Sequence, residues 1–244
     1  MTKQCTDSHV PGKKWEFNAD VAKCFDDMLT RSIPGYMQMR DLVFRIGSQF
    51  VRNGHTVVDL GASRGEASSK FIETYTSCDF LLLEISKDMR AELHERFDHL
   101  NNVHIRDFDL RTKTRDLESF LTSDHNPTLI LSILTLIFVP INYRPSIIQA
   151  VYNSLEVGGA FIVVEKVLGN SAATQEMLVD AYHQYKFDHG YSWEDIERKK
   201  AALEGVQVPI SSSANIELLR SAGFDVVECF WRHLNFCGYI AIKR

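Results

Sequence analysis

The stretch Val57-Val58-Asp59-Leu60-Gly61-Ala62-Ser63-Arg64-Gly65 concentrates features that ligand chemistry needs. His55 to Leu60 is a β-branched run that reads as a buried parallel strand, with a carboxylate near its tip. Two glycines then flank a tight turn into a helix. Glycine lets the backbone approach a ligand closely, and a helix N-terminus offers free N–H groups. The spacing is D-x-G-x-x-x-G, not the G-x-G-x-x-G that cradles pyrophosphate. A carboxylate at this place would repel pyrophosphate and suit a ligand with a cationic end. Taken alone, the motif also reads as an ordinary strand–turn–helix corner.

Two more acids stand at strand ends. Glu84 closes the next strand, 23 positions after Gly61. That is close to the roughly 20-residue offset at which an acid meets a ribose diol. Asp107-Phe108-Asp109-Leu110 follows the third strand, where an acid can accept from an adenine amino group. One acid at a strand end is usually a turn former or cap. Three on one sheet edge are harder to explain that way.

Further along, Tyr182, His183, Tyr185, His189 and Tyr191 cluster, and Arg198-Lys199-Lys200 forms a basic triplet. The functional reading is a substrate pocket with a base, His183 or Tyr191, and an anion-binding cation. The plain reading is an aromatic packing face beside a solvated one. Arg64, inside the glycine turn, either points to solvent or pairs with an acid such as Asp59. Trp231, Arg232 and His233 fit either the pocket mouth or a subunit contact.

Strands are expected at 55–60, 80–85, 103–108, 128–133 and 160–165, with closing strands at 225–230 and 236–243. Helices are expected at 18–31 with Asn18 as N-cap, and at about 37–52, 65–76, 87–99, 144–155 and 216–222. Pro34 should end the first of these, because it disfavours helix in the residue before it. The alternation predicts an α/β fold: a Rossmann-like, mostly parallel seven-stranded sheet with helices on both faces, its last two strands forming a hairpin with one antiparallel member. Residues 171–204 break the rhythm and read as a helical cap inserted over the sheet's carboxyl edge. Residues 1–14 read as a flexible tail, and 15–244 as a single domain.

The 244 residues are 45% hydrophobic and 24% charged, a globular balance. The formal net charge of −5 argues against an extended grip on nucleic acid. No apolar run reaches the ~18 residues of a membrane span. The five cysteines, Cys5, Cys24, Cys78, Cys229 and Cys237, form no C-x-x-C pair. They read as reduced thiols in a cytoplasmic protein with no metal site.

The motifs resemble those of class I S-adenosylmethionine (SAM)-dependent methyltransferases, and more closely those of the carboxy-SAM synthase family, which acts in tRNA wobble-uridine modification. The resemblance runs from about Phe17 to Lys243. It is carried by Arg31-Ser32-Ile33-Pro34-Gly35-Tyr36, Asp59-Leu60-Gly61-Ala62-Ser63, Gly158-Gly159-Ala160 with Glu165-Lys166, His189-Gly190-Tyr191-Ser192, Ala222-Gly223-Phe224 and Asn235-Phe236. It implies SAM as cofactor, S-adenosylhomocysteine or carboxy-SAM in the same place, a small-molecule substrate and a homodimer. It makes Tyr36, Gly61, Ala62, Ser63, Glu84, Ile85, Asp109 and Leu110 cofactor contacts, with Asp59 facing the cationic end. Glu84 replaces the family's usual Asp, and Asp109 is preferred to Asp107 on a D-[IL]-R match.

Two departures stand out. The family's asparagine after the fourth strand falls at Ser132. The arginine that binds the extra carboxylate falls at Lys200, and lysine lacks arginine's planar fork. With His183, Tyr191 and Lys200 as catalytic candidates, the first reading is methyl transfer to a small-molecule or nucleoside-type acceptor. Carboxy-SAM synthesis from SAM and prephenate is the alternative, and a non-catalytic SAM-binding subunit is the third.

Overall fold

The computed structural model describes residues 6–9, 11–12, 14–123 and 127–244. Cys5 and the remaining residues of the expected tail lie outside the described residues. The elements run α1 (Ala19–Lys23), α2 (Phe25–Ser32), α3 (Tyr36–Gly47), β1 (Thr56–Leu60), α4 (Ser69–Thr74), β2 (Asp79–Glu84), α5 (Lys87–Phe97), β3 (Val103–Asp107), α6 (Thr114–Thr122) and β4 (Pro127–Ile133). They continue with α7 (Arg144–Ser154), β5 (Ala160–Leu168), α8 (Ala172–Asp188), α9 (Trp193–Leu203), β6 (Ile210–Ser211), α10 (Ser212–Ser221), β7 (Val226–His233) and β8 (Phe236–Ile242).

The strands order as β3-β2-β1-β4-β5-β8-β7, and the two-residue β6 pairs with the end of β5. All pairs are parallel except β5–β8 and β7–β8. Apart from β6, this is the seven-stranded, mostly parallel sheet expected. Chain order reverses between β1 and β4, so their carboxyl ends open a crevice where ligands bind in doubly wound folds.

The central strands are apolar on both faces because helices cover both. Val58, Leu60, Ile130, Phe161 and Val163 pack with Leu117 and Leu121 of α6, Ile147 and Val151 of α7, and Leu219 of α10. The alternate residues Val57, Phe80, Leu82, Leu129 and Ile162 pack with Met39 and Val43 of α3, Phe71 of α4, and Leu93 of α5. A slip of one residue would exchange the two faces, so this two-sided burial pins the register.

Asn18 caps α1 by accepting from the backbone N–H of Asp20 and Val21. The single helix expected over 18–31 is two, because Cys24 leaves helical geometry at φ −112°, ψ 15°. Ile33, ahead of Pro34, is extended, and Gly35 turns the chain into α3 at φ 67°. α3 ends at Gly47 rather than near 52, and α4 starts only at Ser69 because the glycine turn runs to Ser68. α6 was not foreseen.

Asp7 departs from the reading of 1–14 as flexible. Its side chain is buried and bonds Lys199 and Tyr191, and its N–H donates to Asp27 at 2.7 Å. Beyond it, the N–H of Trp15 donates to the Ala202 carbonyl (3.0 Å), and the carbonyl of Phe17 accepts from Ser86 Oγ (2.6 Å). The segment is thus strapped from α9 to the end of β2. No helix among the described residues is long and apolar enough to cross a membrane.

Candidate active site

The crevice holds two cavities that share Gly61 and Ser63. The first lies between β1, α2 and α3 on one side and α8 and α9 on the other. Its wall includes Tyr36, Asp59, Ala62, Lys166, Lys186 and Lys199. The second is lined by Glu84, Ile85, Ser86, Phe108, Asp109 and Leu110, with Thr135 between the two strand ends. Trp15 and Phe17 wall both.

Their junction is built from backbone. Gly61 has φ 75°, and a Cβ there would collide with the Thr135 side chain. The N–H groups of Gly61 and Ala62 both donate to the Leu83 carbonyl, at 2.8 and 2.9 Å. Ser63 takes φ 50°, which is unusual for a residue with a side chain. That turn aims its N–H at Glu84 Oε2 (2.8 Å), while Glu84 Oε1 accepts from the N–H of Ser86 (2.7 Å). Glu84 is buried, which raises its pKa against these bonds. An ionised carboxylate accepts about four hydrogen bonds, so capacity remains on both oxygens toward the second cavity.

Asp59 is fully buried at the head of the first cavity and accepts from Ser68 Oγ at 2.5 Å. Burial pushes its carboxyl up to about 7, against the Ser68 bond and the Arg40 charge, with Glu66 and Glu84 adding repulsion. A cation brought against Asp59 would favour its ionised form. Tyr36 is also buried and accepts from Arg40 Nη1 at 3.0 Å; burial pushes its phenol up to about 12.

The two acids at the third position lie differently, and Asp109 is the one beside a cavity. It lines the second cavity, braced by Arg111 at 2.9 and 3.0 Å. Asp107 lies outside both cavity walls and pairs with Arg90 at 3.0 Å.

Three other expectations change. Ser132 is fully buried inside β4 and lies on neither cavity wall, and its Oγ has no hydrogen-bond partner; Ile133 and Leu134 are the β4-end residues that reach the first cavity. His183 is half-buried, lines neither cavity and has its pKa lowered by burial and nearby lysines. Lys200 faces solvent and pairs with Glu197 at 3.2 Å. Arg64 follows the second of its two readings and pairs with acids, though with Asp26, Glu66 and Glu92 at 3.5–3.8 Å and not with Asp59. Tyr191 is buried behind the first cavity. Its hydroxyl donates to Asp7 and accepts from Ser32 Oγ (3.2 Å) and Lys199 Nζ (3.3 Å).

The sequence reading missed Asp7, Lys166, Lys186 and Lys199. For Lys199 the signal was present. Ile196, Lys199 and Ala202 are buried and Leu203 lines the cavity, a helical i, i+3, i+6, i+7 stripe that excludes Lys200. Lys166 follows Ile162 and Val164 on one face of β5. The loop after β4 is held by fully buried Arg144, which donates to the carbonyls of Val139 (2.9 Å) and Val208 (2.6 Å).

No family model matches the chain. Individual relatives do. Carboxy-S-adenosyl-L-methionine synthase of Methylococcus capsulatus is 32% identical over 232 residues, covering 93% of each chain. The Helicobacter hepaticus protein of the same name is 33% identical over 241 residues, covering 95% of this chain and 96% of that one. The chain belongs to the carboxy-S-adenosyl-L-methionine synthase family.

Solved structures agree on the fold. An O-methyltransferase family protein from Burkholderia thailandensis superposes with a TM-score of 0.63 at 16% identity, over 93% of this chain and 60% of that one. Human N-acetylserotonin methyltransferase in complex with SAM gives 0.59 at 12% identity, over 92% and 55%. The chain thus has the fold of these methyltransferases.

Proposed function

We propose that this chain makes carboxy-SAM from SAM and prephenate, for a pathway of tRNA wobble-uridine modification, and that it works as a homodimer in the cytoplasm. The observation that carries the reading is the pair of cavities joined at Gly61 and Ser63, acidic where a sulfonium nucleoside would lie and lined by lysines beyond it.

The residues fit SAM. Glu84 has acceptor capacity for a ribose diol, Asp109 stands where an adenine amino group would donate, and Asp59 offers a buried carboxylate to the cationic amino-acid end. When bound, SAM supplies a sulfonium whose methyl C–H bonds are acidified. In the overall reaction prephenate gives up CO2 and hydroxide and becomes phenylpyruvate, hydroxide leaves as water with one methyl proton, and the CO2 carbon bonds to that methyl carbon. Atoms and charge balance with no oxidant. The protein's part is to position both partners and exclude water that would carry CO2 away. Phe25, Phe138 and Phe236 supply apolar wall for that.

The argument from Lys200 toward methyl transfer loses its footing, because Lys200 points to solvent and the inward cations are Lys166, Lys186 and Lys199. Incubating pure protein with SAM and prephenate should accumulate carboxy-SAM catalytically by mass spectrometry. If none forms, methyl transfer to another acceptor takes its place.

A further inference from the structure

Three lysines from three elements face the first cavity: Lys166 of β5, Lys186 of α8 and Lys199 of α9. They are not equivalent. Lys199 is neutralised by the buried carboxylate of Asp7. Lys166 and Lys186 have no hydrogen-bond or ion-pair partner among the described residues. Their ammonium groups lie instead over one aromatic ring, that of Tyr182, at 4.7 and 5.3 Å from its centroid. Lys186 also stands 5.6 Å from the ring of Tyr191.

A ring face gives a cation a modest attraction. Taking an ammonium out of water costs more than that attraction returns. Two neighbouring like charges add repulsion, so Tyr182 alone leaves the pair under-compensated. Burial pushes Lys166 down to about 8, and burial with the charges of Lys166 and Lys199 pushes Lys186 to about 7, with only Asp7 opposing. The other acids on the cavity wall belong elsewhere: Asp59 sits at the Gly61 end, and Glu66 lies beside Arg64 and Arg96. Around the pair the wall is apolar, with Leu29, Ile33, Leu134 and Phe236. The missing component is an anion carried on a small apolar body.

We propose that Lys166 and Lys186 form a two-cation subsite that holds a carboxylate of the second substrate against the face of Tyr182, while Lys199 serves the Asp7 pair. The identity of that substrate as prephenate rests on the proposed function; the anion subsite does not. The site takes a cyclic or aromatic carboxylate and orients it with the carboxylate toward α8 and the body toward Gly61.

The test is calorimetry on the protein saturated with S-adenosylhomocysteine, with prephenate as titrant and malonate as a second probe. Lys166→Met and Lys186→Met should each weaken prephenate binding by tenfold or more, and Lys186→Arg by less. Binding of S-adenosylhomocysteine should stay within twofold in all three, which also shows that they fold. The affinity should fall as pH rises through about 7 and 8, where Lys186 and then Lys166 lose their protons; Asp7, Lys199 and His183 are the other charged or titratable groups that face the pair. Unchanged prephenate affinity in both methionine variants would overturn the subsite. If wild type ignores prephenate but binds malonate in a lysine-dependent way, the subsite stands and the substrate reading falls. If wild type binds neither anion, the subsite is wrong.

Discussion

Asp59 holds its proton to about 7 in the folded protein against an ordinary 3.8, so the folded state binds the proton more tightly than the unfolded chain. Stability of the ligand-free protein should therefore fall as pH rises from about 4 toward 7, then level off, at about 1.4 kcal/mol per unit of displacement. Asp59→Asn should flatten that slope in denaturant titrations across this range. The same carboxyl should release a proton when SAM binds below pH 7, measurable by calorimetry in buffers of different ionisation enthalpy. Asp7 has the opposite sign. Its pKa is lowered by Lys199 and Tyr191 against burial, so its contribution is present above about pH 4 and lost on acidification. Asp7→Ala leaves a buried lysine uncompensated and should cost about 3–5 kcal/mol, whereas Asp7→Leu with Lys199→Met should recover most of it. Glu84→Ala should weaken S-adenosylhomocysteine binding by about 1–3 kcal/mol; an unchanged affinity would remove Glu84 from the ribose position. At this scale the sequence was legible where a motif tied a residue to a strand end, as for Asp59, Glu84 and Asp109. It was not legible where two neighbours on a helix compete for one direction. Lys199 and Lys200 differ by about 100° around α9, and only the apolar stripe of that helix distinguishes them.

At the scale of elements, the glycine turn after β1 is the least replaceable. Gly61→Ala asks for a left-handed backbone with a side chain and drives that side chain into Thr135. It should cost about 1–3 kcal/mol and displace the backbone on which both cavities meet, so cofactor affinity should fall with stability. Adding Thr135→Ala should return part of the loss, and a melting curve for the pair measures how much is collision and how much is backbone. Strands were legible because the core strands are short β-branched or apolar runs ended by turns. α6 was hidden because Thr114–Thr122 is short and mostly polar, with Leu117, Leu121 and the partly buried Phe120 bringing it to the sheet. The break at Cys24 was hidden for the opposite reason. Apolar spacing continues straight through it, while the Cys24 N–H tightens to the Val21 carbonyl.

For the whole molecule, the fold was legible as a sum of independent signals: seven strand patterns, helices between them, and a cap that broke the alternation. What the sequence hid is long-range closure. Nothing local to Asp7 says that it meets Lys199, because the pairing depends on how α9 lies over the crevice. A homodimer should show a light-scattering mass near twice the single chain's 27.9 kDa; a mass near 27.9 kDa would contradict it. Phe187 and Trp193 stack in the open on the α8–α9 turn, a place where a subunit contact would cost little desolvation.

The strap from Asp7 to Phe17 also sets an order of events during synthesis. Residue 7 is made 192 residues before its counterion. Chains grow from the amino end, and the early strands can collapse as they emerge. Through that interval Trp15 has no α9 to lie against, while Phe17 can already meet Phe25 and Phe138, and the carboxylate of Asp7 has no Lys199 to pair with. The Trp15 ring therefore lacks its α9 neighbours until about four-fifths of these residues have been made. Finishing α9 covers that ring in the same step that closes the first cavity.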